Sequence, residues 1–396
     1  MNNIKQNYTD FDEYIRQGEP SQKEKASIWQ TAIGLQAVDG LQTSDYLKAT
    51  ACKHIEGEID IDEARELINS YYQSKTLREP DDDEKLEADK VSANITKILS
   101  SQTLDFSTGG YISVHRRVFD GVFKHAGKLR DYDITKREWV LDGDTINYLN
   151  WEDLRRAIDY DITQEKEFSY KGISSDTMVE HIARFVSGLW QIHAFCEGNT
   201  RTTAVFTILY LRSIGFKIDN SLFARHSWYF RNALVRANYK NVIKGIDYTS
   251  VYLERFFRNL LLGEKWDLRN RYLHIHATDE WKMQQNLAGG TSNQQEEYKH
   301  GTSTGQVQDK LRTDNANIKR LIIVIGNQEL SVKSMMDALE LKGRDNFQNL
   351  YLKPAISEGY VRLLYPNSPR HPRQKYLLTV KGLTMYEYCN KSKSLF

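Results

Sequence analysis

The sequence predicts a mainly α protein that ends in a small α+β module. Only 6 prolines occur in 396 residues, and residue types that favour helices, such as Leu, Ala, Glu and Lys, are abundant. Apolar residues recur at helical spacing, most clearly over residues 178–192, where Met, Ile, Phe, Leu and Ile step by 4, 3, 4 and 3. Near the C-terminus, two strand-like runs follow two predicted helices.

Composition and charge divide the chain into four predicted segments. They are a helical unit (1–90), the main helical domain (91–278), a flexible linker (279–317) and a compact α+β module (318–396). In the first unit a helix opens at Asp60, since acidic residues in a first turn favour the helix dipole. Residues 76–90 are polar and acidic, and we expect them to be a solvated connection. The linker is rich in Gly, Ser, Thr, Asn and Gln, a composition typical of flexible chains.

The C-terminal module is basic, whereas the whole chain is nearly neutral. Residues 318–396 hold 13 Lys and Arg against 6 Asp and Glu, while the net charge of the chain is +1. The predicted order is helix (331–341), helix (345–357), strand (360–364), Pro-rich basic wing (366–373) and strand (374–379). This order is that of a winged helix. Because a basic winged helix can dock on DNA or on a protein, the partner of this module is open.

The composition gives no sign of a membrane or a secretory route. We find no apolar run of 18 or more residues, and the N-terminus lacks the apolar core of a signal peptide. The 3 cysteines form neither a disulfide framework nor a zinc pattern. The sequence therefore predicts a cytoplasmic protein with no membrane partner. It leaves open the oligomeric state and secretion by an apparatus that needs no such signal.

A β-hairpin is predicted within the helical domain. The alternating residues 137–141 and 144–148 flank Asp142-Gly143, a pair that favours the tight turns of hairpins. Such a hairpin offers a backbone edge on which a peptide can add as a further strand.

The segment from His193 to Phe206 carries the functional prediction. A Glu-Gly-Asn-Thr turn, residues 197–200, leads into a helix that is apolar nearly all round. Unpaired N–H groups at such a helix start suit phosphate oxygens, and Arg201 adds a permanent charge. Glu197 beside phosphates needs a cation, and Mg²⁺ binds one carboxylate together with phosphate oxygens. His193 can accept a proton near neutral pH, so the segment predicts attack of a hydroxyl on phosphorus.

Taken singly, these residues have ordinary explanations. A lone histidine is usually a surface or core residue, and Glu197 suits a helix N-terminus through the dipole. Cys196 is an alternative nucleophile, but no second histidine lies close to it in the sequence. The joint spacing carries the prediction, in which Gly198 lets the backbone approach the anion closely.

This segment resembles the signature of the Fic-domain family, His-x-Phe-x-(Asp/Glu)-Gly-Asn-Gly-Arg-x-x-Arg. The matching residues are His193, Phe195, Glu197, Gly198, Asn199 and Arg201. The resemblance extends over roughly residues 95–265, with the predicted hairpin and the apolar helix at the places of the family's substrate flap and core helix. It implies a Fic-type helical domain with a small β-hairpin flap, followed by the winged-helix α+β module.

The resemblance implies a protein adenylyltransferase. Such an enzyme, with Mg²⁺, moves AMP from ATP to the Ser, Thr or Tyr hydroxyl of a target protein and releases pyrophosphate. His193 would be the catalytic base and Glu197 the Mg²⁺ ligand. The implied ATP- and phosphate-binding residues are Gly198, Asn199, Thr200, Arg201 and Asn238. The implied target-binding flap consists of Glu138, Trp139, Val140, Leu141, Asp142, Gly143, Asp144 and Thr145.

The sequence departs from the signature at two positions. Thr200 replaces the second glycine, although its hydroxyl can still hydrogen-bond phosphate. Ala204 replaces the last arginine, which in the family helps to place the γ-phosphate and pairs with a regulatory glutamate. The preferred nucleotide is therefore open, and uridylyl or phosphocholine transfer is an alternative chemistry.

Residues 28–72 resemble the small helical antitoxin of Fic toxin pairs, here fused to the same chain. The family's inhibitory pattern, (Ser/Thr)-x-x-x-Glu-Gly, aligns with Leu35-x-x-x-Asp39-Gly40. Asp39 and Gly40 are therefore predicted regulatory residues. Because position 204 is not arginine, we expect the inhibitory pairing to be lost or replaced by another.

A second class of function competes with the enzyme. The chain could be a DNA-binding regulator whose Fic domain binds a nucleotide as a signal without turning it over. Salt-sensitive DNA binding without protein labelling would favour this regulator.

Overall fold

The structure, a computed structural model, describes residues 11–75, 80–101, 103–216, 218, 221–277, 313, 315–364 and 374–391. Its described residues confirm the mainly α class predicted from the sequence. The predicted wing (366–373) and nearly all of the predicted linker (279–317) lie outside the described residues. Among the described residues, no helix has both the length and the apolarity that a membrane crossing requires.

The N-terminal unit is a small helical bundle. Its helices are α1 (Asp12–Gln17), α2 (Pro20–Gly34), α3 (Asp45–Glu56) and α4 (Ile61–Ser74), and a 3₁₀ turn (Leu35–Asp39) follows α2. The predicted start of α4 is confirmed, because the Asp60 and Glu63 side chains each accept a backbone N–H of the other residue. Trp29 is fully buried at the centre, where its indole N–H donates to Nδ1 of His54 at 2.9 Å.

The central domain surrounds one buried helix. Its helices are α5 (Asp82–Ser100), α6 (Thr108–Val118), α7 (Leu154–Glu167), α8 (Ser175–Ile192), α9 (Asn199–Ser213), α10 (Ser221–Ala237) and α11 (Val251–Phe257), and a π-helical turn (Arg258–Leu262) continues α11. Residues 199–211 of α9 are all buried, as the apolar pattern predicted. Ile28, Ala32 and Leu35 of the N-terminal unit belong to the same apolar core. The two parts therefore fold against each other.

Gly34 marks the place where α2 crosses α10. A Cβ atom at this position would lie 2.5 Å from the Cα and carbonyl oxygen of Ala224, so a side chain would push the two helices apart. The Ser227 hydroxyl donates to the Gly34 carbonyl at 2.8 Å. This close crossing holds the following 3₁₀ turn, which ends in Asp39, against the central domain.

The C-terminal module has the predicted α+β order. It contains α12 (Ala316–Ile325), α13 (Val332–Ala338), α14 (Arg344–Phe347), a π-helical turn (Gln348–Leu352), α15 (Lys353–Ser357), β1 (Val361–Leu363), β2 (Tyr376–Leu378) and α16 (Val380–Lys391). β1 and β2 are antiparallel, with Arg362 opposite Leu377. A separate apolar core, which includes Ile322, Phe347 and Leu352, holds the module together.

The predicted β-hairpin of the central domain is wrong in its secondary structure. Residues 137–148 contain no strand; instead Trp139–Leu141 form a 3₁₀ turn. Val140 and Leu141 are both fully buried, which is incompatible with the alternating faces of a strand. The predicted turn at its tip is present, since Asp142 and Gly143 have φ angles of 56° and 81°. We call residues 137–148 the flap.

The solvated connection predicted for residues 76–90 is wrong from residue 82 onward, because α5 begins at Asp82, while residues 76–79 lie outside the described residues. The predicted boundary at residue 90 therefore falls inside a helix. Asp82, Asp83 and Glu84 occupy the first turn of α5, where the helix dipole favours acidic side chains. The same charges that suggested a solvated stretch therefore begin a helix.

Candidate active site

His193 ends α8 in a strained backbone conformation. Its φ and ψ angles of 49° and 56° lie in the left-handed region, which residues other than glycine rarely adopt. The side chain is only 4% exposed, and the Tyr148 ring covers the imidazole at a centroid distance of 4.2 Å. Neither ring nitrogen has a hydrogen-bond partner among the described residues. A buried imidazole that stabilises a fold is normally hydrogen-bonded. The ring nitrogens of His193 are instead available for a proton transfer.

Burial keeps this imidazole neutral. It lowers the pKa of His193 well below the ordinary 6.5, and the cations Lys136, Arg130 and Arg231 lower it further. A neutral imidazole has a free lone pair that can take a proton from a hydroxyl. The environment therefore provides the protonation state that a base requires.

The side chains of the turn between α8 and α9 hold the turn itself. Asn199 accepts the Phe195 N–H at 2.9 Å and donates back to the Phe195 carbonyl at 2.7 Å. The Thr200 hydroxyl accepts the indole N–H of Trp190 at 2.9 Å. The Thr200 hydroxyl therefore links α9 to α8, and its contact with a phosphate stays a prediction that would have to use its remaining O–H donor.

The backbone at the start of α9 remains suited to an anion. Among the described residues, no side chain caps this helix, and the Thr202 N–H donates to the Gly198 carbonyl at 3.0 Å. The N–H groups of residues 199–201 precede that bond, so they have no partner within the helix. The predicted anion site therefore rests on main-chain N–H groups and not on the side chains of Asn199 and Thr200.

Arg201 is almost fully buried and already neutralised. Its Nε forms an ion pair with Oδ2 of Asp39 at 2.8 Å, and its Nη2 forms one with Oε1 of Glu87 at 2.7 Å. Its Nη1 donates to Oε1 of Gln36 at 3.0 Å, and its guanidinium lies 4.8 Å from the centre of the Phe119 ring. Asp39, a predicted regulatory residue, thus forms an ion pair with Arg201, whereas Ala204 offers no charge. A regulatory role for this pair stays a prediction.

Glu197 lies at the other side of the helix start. Its side chain is 57% exposed, and Oε2 lies 3.2 Å from Nζ of Lys136. Among the described residues, no group of three or more His, Cys, Asp and Glu side chains is arranged to hold a metal. One exposed carboxylate fits Mg²⁺ only when phosphate oxygens and waters complete the shell. The donor set therefore fits a metal that arrives with a polyphosphate.

A large cleft adjoins these residues. Its volume is about 1380 Å³, and Asp39, Gly40, Glu87, Glu197 and Arg201 are among the residues that line it. The remaining wall includes a Trp and several Arg side chains from α10 and from residues 268–271. This volume exceeds the range typical of small-molecule sites. The cleft has room for a nucleoside triphosphate. However, Asp39 and Glu87 already pair with Arg201, whose positive charge would attract the phosphates.

Charged residues fix the flap over His193. Glu138 is buried, forms an ion pair with Arg231 at 2.9 Å and accepts the Tyr148 hydroxyl at 3.2 Å. Asp144 accepts the Tyr239 hydroxyl at 2.7 Å, and Thr145 N–H donates to its Oδ1 at 2.8 Å. These contacts hold Tyr148 on the imidazole.

The predicted target-binding flap is therefore partly a structural element. Glu138, Val140 and Leu141 are buried, and the Ile275 N–H donates to the Val140 carbonyl at 3.0 Å. Trp139, by contrast, is 50% exposed and lines the cleft. Its ring is therefore accessible from the cleft, and Asp142 and Gly143 at the tip of the flap are exposed as well.

The side chain of Asn238 is bonded within the packed helices. Its amide donates to the Ser187 hydroxyl at 2.9 Å and to the Leu234 carbonyl at 2.9 Å. Like Gly198, Asn199 and Thr200, Asn238 is not among the residues that line the cleft. The structure thus gives this side chain a role in joining α10 to α8, because the C-terminal end of α10 packs there.

Five residues near the site were not singled out as site residues from the sequence: Glu87, His115, Arg130, Lys136 and Tyr148. Each lies far in sequence from the group it contacts, so local spacing carries no signal for it. His115 shows this well. Its Nδ1 accepts the Gly127 N–H at 2.8 Å, which leaves Nε2–H to donate to the Glu197 carbonyl at 3.1 Å. The ring also stacks on Phe195 at 3.8 Å.

We expect the protein to lose stability in mild acid because of this histidine. Burial lowers the pKa of His115 from 6.5 to about 4, so the unfolded chain takes up a proton in a pH range where the folded chain does not. The free energy of unfolding should therefore fall as the pH drops from about 6.5 to about 4, by about 3 kcal/mol for a shift of this size.

Urea unfolding at several pH values measures this effect. His115→Phe should make the pH dependence shallower without removing it, because burial also lowers the pKa of His193 and of His54. His276→Phe, at a side chain that is 66% exposed, should leave it unchanged. An equally steep dependence in both variants would show that other groups cause it.

Two parts of the chain match known protein families. Residues 105–211 match the profile of the Fic/DOC family, and residues 316–379 match the profile described as Filamentation induced by cAMP protein Fic-like, C-terminal domain. The protein adenylyltransferase VbhT of Bartonella schoenbuchensis is 24% identical over 203 residues, which are 50% of this chain and 40% of VbhT. The chain thus spans well under half of that relative. A crystal structure of a Fic family protein from Desulfovibrio desulfuricans G20 is 16% identical, covers 93% of this chain and 90% of that chain, and has a TM-score of 0.40.

The helical region that holds the candidate site therefore matches the Fic/DOC family, and the C-terminal module matches a Fic-like C-terminal domain. Over half of its length the chain is also distantly similar to the adenylyltransferase VbhT.

Proposed function

We propose that this chain transfers the nucleotidyl group of a nucleoside triphosphate to a hydroxyl side chain of a target protein, with AMP from ATP as the first candidate. One observation carries the proposal. Glu197 and Arg201, at the uncapped start of α9, line a large cleft, and His193, four residues before Glu197, has a neutral imidazole whose nitrogens lack hydrogen-bond partners among the described residues. Together these groups suit a polyphosphate with an accompanying cation, and the imidazole suits the removal of a proton from a hydroxyl.

The proposed reaction is a displacement at the α-phosphorus. The oxygen of a target Ser, Thr or Tyr forms a bond to this phosphorus, and the bond from phosphorus to the bridging oxygen breaks, so that pyrophosphate leaves. The hydroxyl proton passes to a ring nitrogen of His193. Main-chain N–H groups of residues 199–201 and the guanidinium of Arg201 bind phosphate oxygens. Mg²⁺, held by Glu197 with the phosphates, would neutralise their charge.

The described conformation is closed with respect to this reaction. Tyr148 covers His193, and the carboxylates of Asp39 and Glu87 form ion pairs with Arg201. The proposal therefore requires Tyr148 to move and at least one carboxylate to leave Arg201 when substrates bind. In this sense the N-terminal unit, through Asp39, is proposed to inhibit the site.

Labelling with ATP and Mg²⁺ tests the proposal. Wild-type chain incubated with labelled ATP and a cell lysate should transfer label to protein, and His193→Ala should reduce the transfer at least about 100-fold, since a positioned base contributes of this order. His181→Ala is the control, since this histidine lies in the N-terminal half of α8 and pairs with Glu165. The absence of any label from ATP, UTP or CTP would exclude nucleotidyl transfer.

The DNA-binding regulator is the second candidate, favoured by the closed site and by exposed cations on the C-terminal module. Lys333, Lys342, Arg344 and Lys353 are exposed, and the last two belong to α14 and α15. Salt-sensitive binding of duplex DNA together with no labelling would favour this function. It also rests on nucleotide binding, which Arg201→Ala should weaken.

A further inference from the structure

We infer that Arg130 is a positioning residue for His193, and that one guanidinium holds both the base and the two ends of the flap. This inference rests on the proposed function for its chemical meaning. The hydrogen bonds that support it do not depend on that function, because they join residues that the structure describes.

The guanidinium of Arg130 is fully buried, lies 3.6 Å from Oδ1 of the exposed Asp133 and donates its hydrogen bonds to main-chain carbonyls. Nε donates to the His193 carbonyl at 2.8 Å, and Nη2 donates to the Ile192 carbonyl at 3.4 Å. The Arg130 N–H donates to the Ala194 carbonyl at 3.0 Å. Three consecutive residues around the end of α8 are thus bound by one arginine. Its positive charge stabilises the carbonyl groups at the C-terminus of α8, which have no partner within the helix.

The same side chain binds the chain on both sides of the flap. Nη1 donates to the Tyr132 carbonyl at 2.6 Å, and Nη2 donates to the Leu149 carbonyl. Residue 149 follows Tyr148, whose ring covers His193. A movement of the flap ends therefore changes the same set of hydrogen bonds that fixes the base.

His193 needs such support because its backbone is strained. A left-handed conformation costs about 1–2 kcal/mol for a residue with a Cβ atom, and such conformations persist where surrounding contacts over-determine them. The bond from Arg130 to the His193 carbonyl is such a contact. Without it, residue 193 can relax to a right-handed conformation, and the imidazole then leaves its place beneath Tyr148.

Lysine cannot replace this arginine. Its ammonium keeps the positive charge but concentrates its donors at one point, whereas the planar guanidinium spreads five N–H groups over carbonyls on separate segments. Arg130→Lys therefore removes the fork and retains the charge, while Arg130→Met removes both. Arg212→Met is a matched control, since the Arg212 side chain also donates to a main-chain carbonyl, that of Leu99 at 2.8 Å.

Chemical modification of His193 tests the inference without any substrate. Diethyl pyrocarbonate should modify His193 slowly in the wild type and in Arg212→Met, and several-fold faster in Arg130→Lys and Arg130→Met, as followed by peptide mass spectrometry. Amide hydrogen exchange should also accelerate over residues 132–149 in the two Arg130 variants. Unfolding midpoints of Arg130→Met and Arg212→Met separate this local effect from a general loss of stability.

Transfer activity provides the second measurement. In the Arg130 variants kcat should fall about 100-fold, as expected for a misplaced group, with KM for ATP little changed because the phosphate site stays intact. Unchanged His193 reactivity and unchanged hydrogen exchange in Arg130→Lys would overturn the inference. If Arg130→Met does not fold, Arg130→Lys alone tests the inference. If the wild type labels no protein, the proposed function fails while the modification experiment still tests Arg130.

Discussion

Replacing Asp39 with Asn and Glu87 with Gln is expected to increase the affinity of the chain for ATP with Mg²⁺ by about tenfold or more. Both carboxylates bind Arg201, at 2.8 and 2.7 Å, and both line the cleft in which a triphosphate would lie. Their removal frees a buried cation and withdraws two negative charges from the neighbourhood of a polyanion. Tenfold corresponds to about 1.4 kcal/mol, a modest share of a partly buried charge interaction.

Calorimetric titration with ATP and Mg²⁺ measures this change. The single variants Asp39→Asn and Glu87→Gln show whether the two carboxylates act independently, and we expect smaller gains from each. Asp153→Asn with Asp176→Asn is the matched control, since these carboxylates pair with Arg156 and Arg258. An unchanged Kd in the Asp39 and Glu87 double variant would show that Arg201 does not need to be released.

Replacing Gly198 with Ala is expected to lower the free energy of unfolding by about 3 kcal/mol. The residue has a φ angle of 74°, and an added Cβ would lie 2.1 Å from Cζ of Phe119. The left-handed backbone contributes about 1 kcal/mol, and overpacking contributes about 1–3 kcal/mol. The Phe119 ring cannot retreat easily, because it is fully buried and stacks on Phe123 at 4.7 Å.

Gly57→Ala is the control for this substitution. Gly57 has a φ angle of 83°, yet nothing lies within 4 Å of an added Cβ, so this variant reports the backbone cost alone. Urea unfolding of both variants therefore isolates the clash with Phe119. Equal destabilisation in the two variants would show that packing at Gly198 is unimportant.

The glycine at position 198 can be explained in two ways. From the sequence, Gly198 was assigned to close approach of an anion. The structure adds the Phe119 ring, 79 positions earlier in the sequence, directly behind the turn. The signature residues Asn199 and Thr200 likewise use their side chains inside the protein, on Phe195 and Trp190. The place of the Phe119 ring and the bond from Trp190 to Thr200 depend on the packing of α6, α8 and α9, whereas the bonds between Asn199 and Phe195 span only four residues.

The sequence by itself determined the mainly α class, the place of the signature at the junction of α8 and α9, and the α+β order of the C-terminal module. These features depend on apolar spacing and capping within about one to five turns of helix, so neighbouring residues are sufficient to specify them. Tertiary structure alone decided which partners the signature residues have. Asp39 and Glu87 reach Arg201, and Arg130 reaches His193, only because packed helices bring distant segments into contact, and hydrogen bonds and ion pairs act over a few ångström in space whatever the separation along the chain.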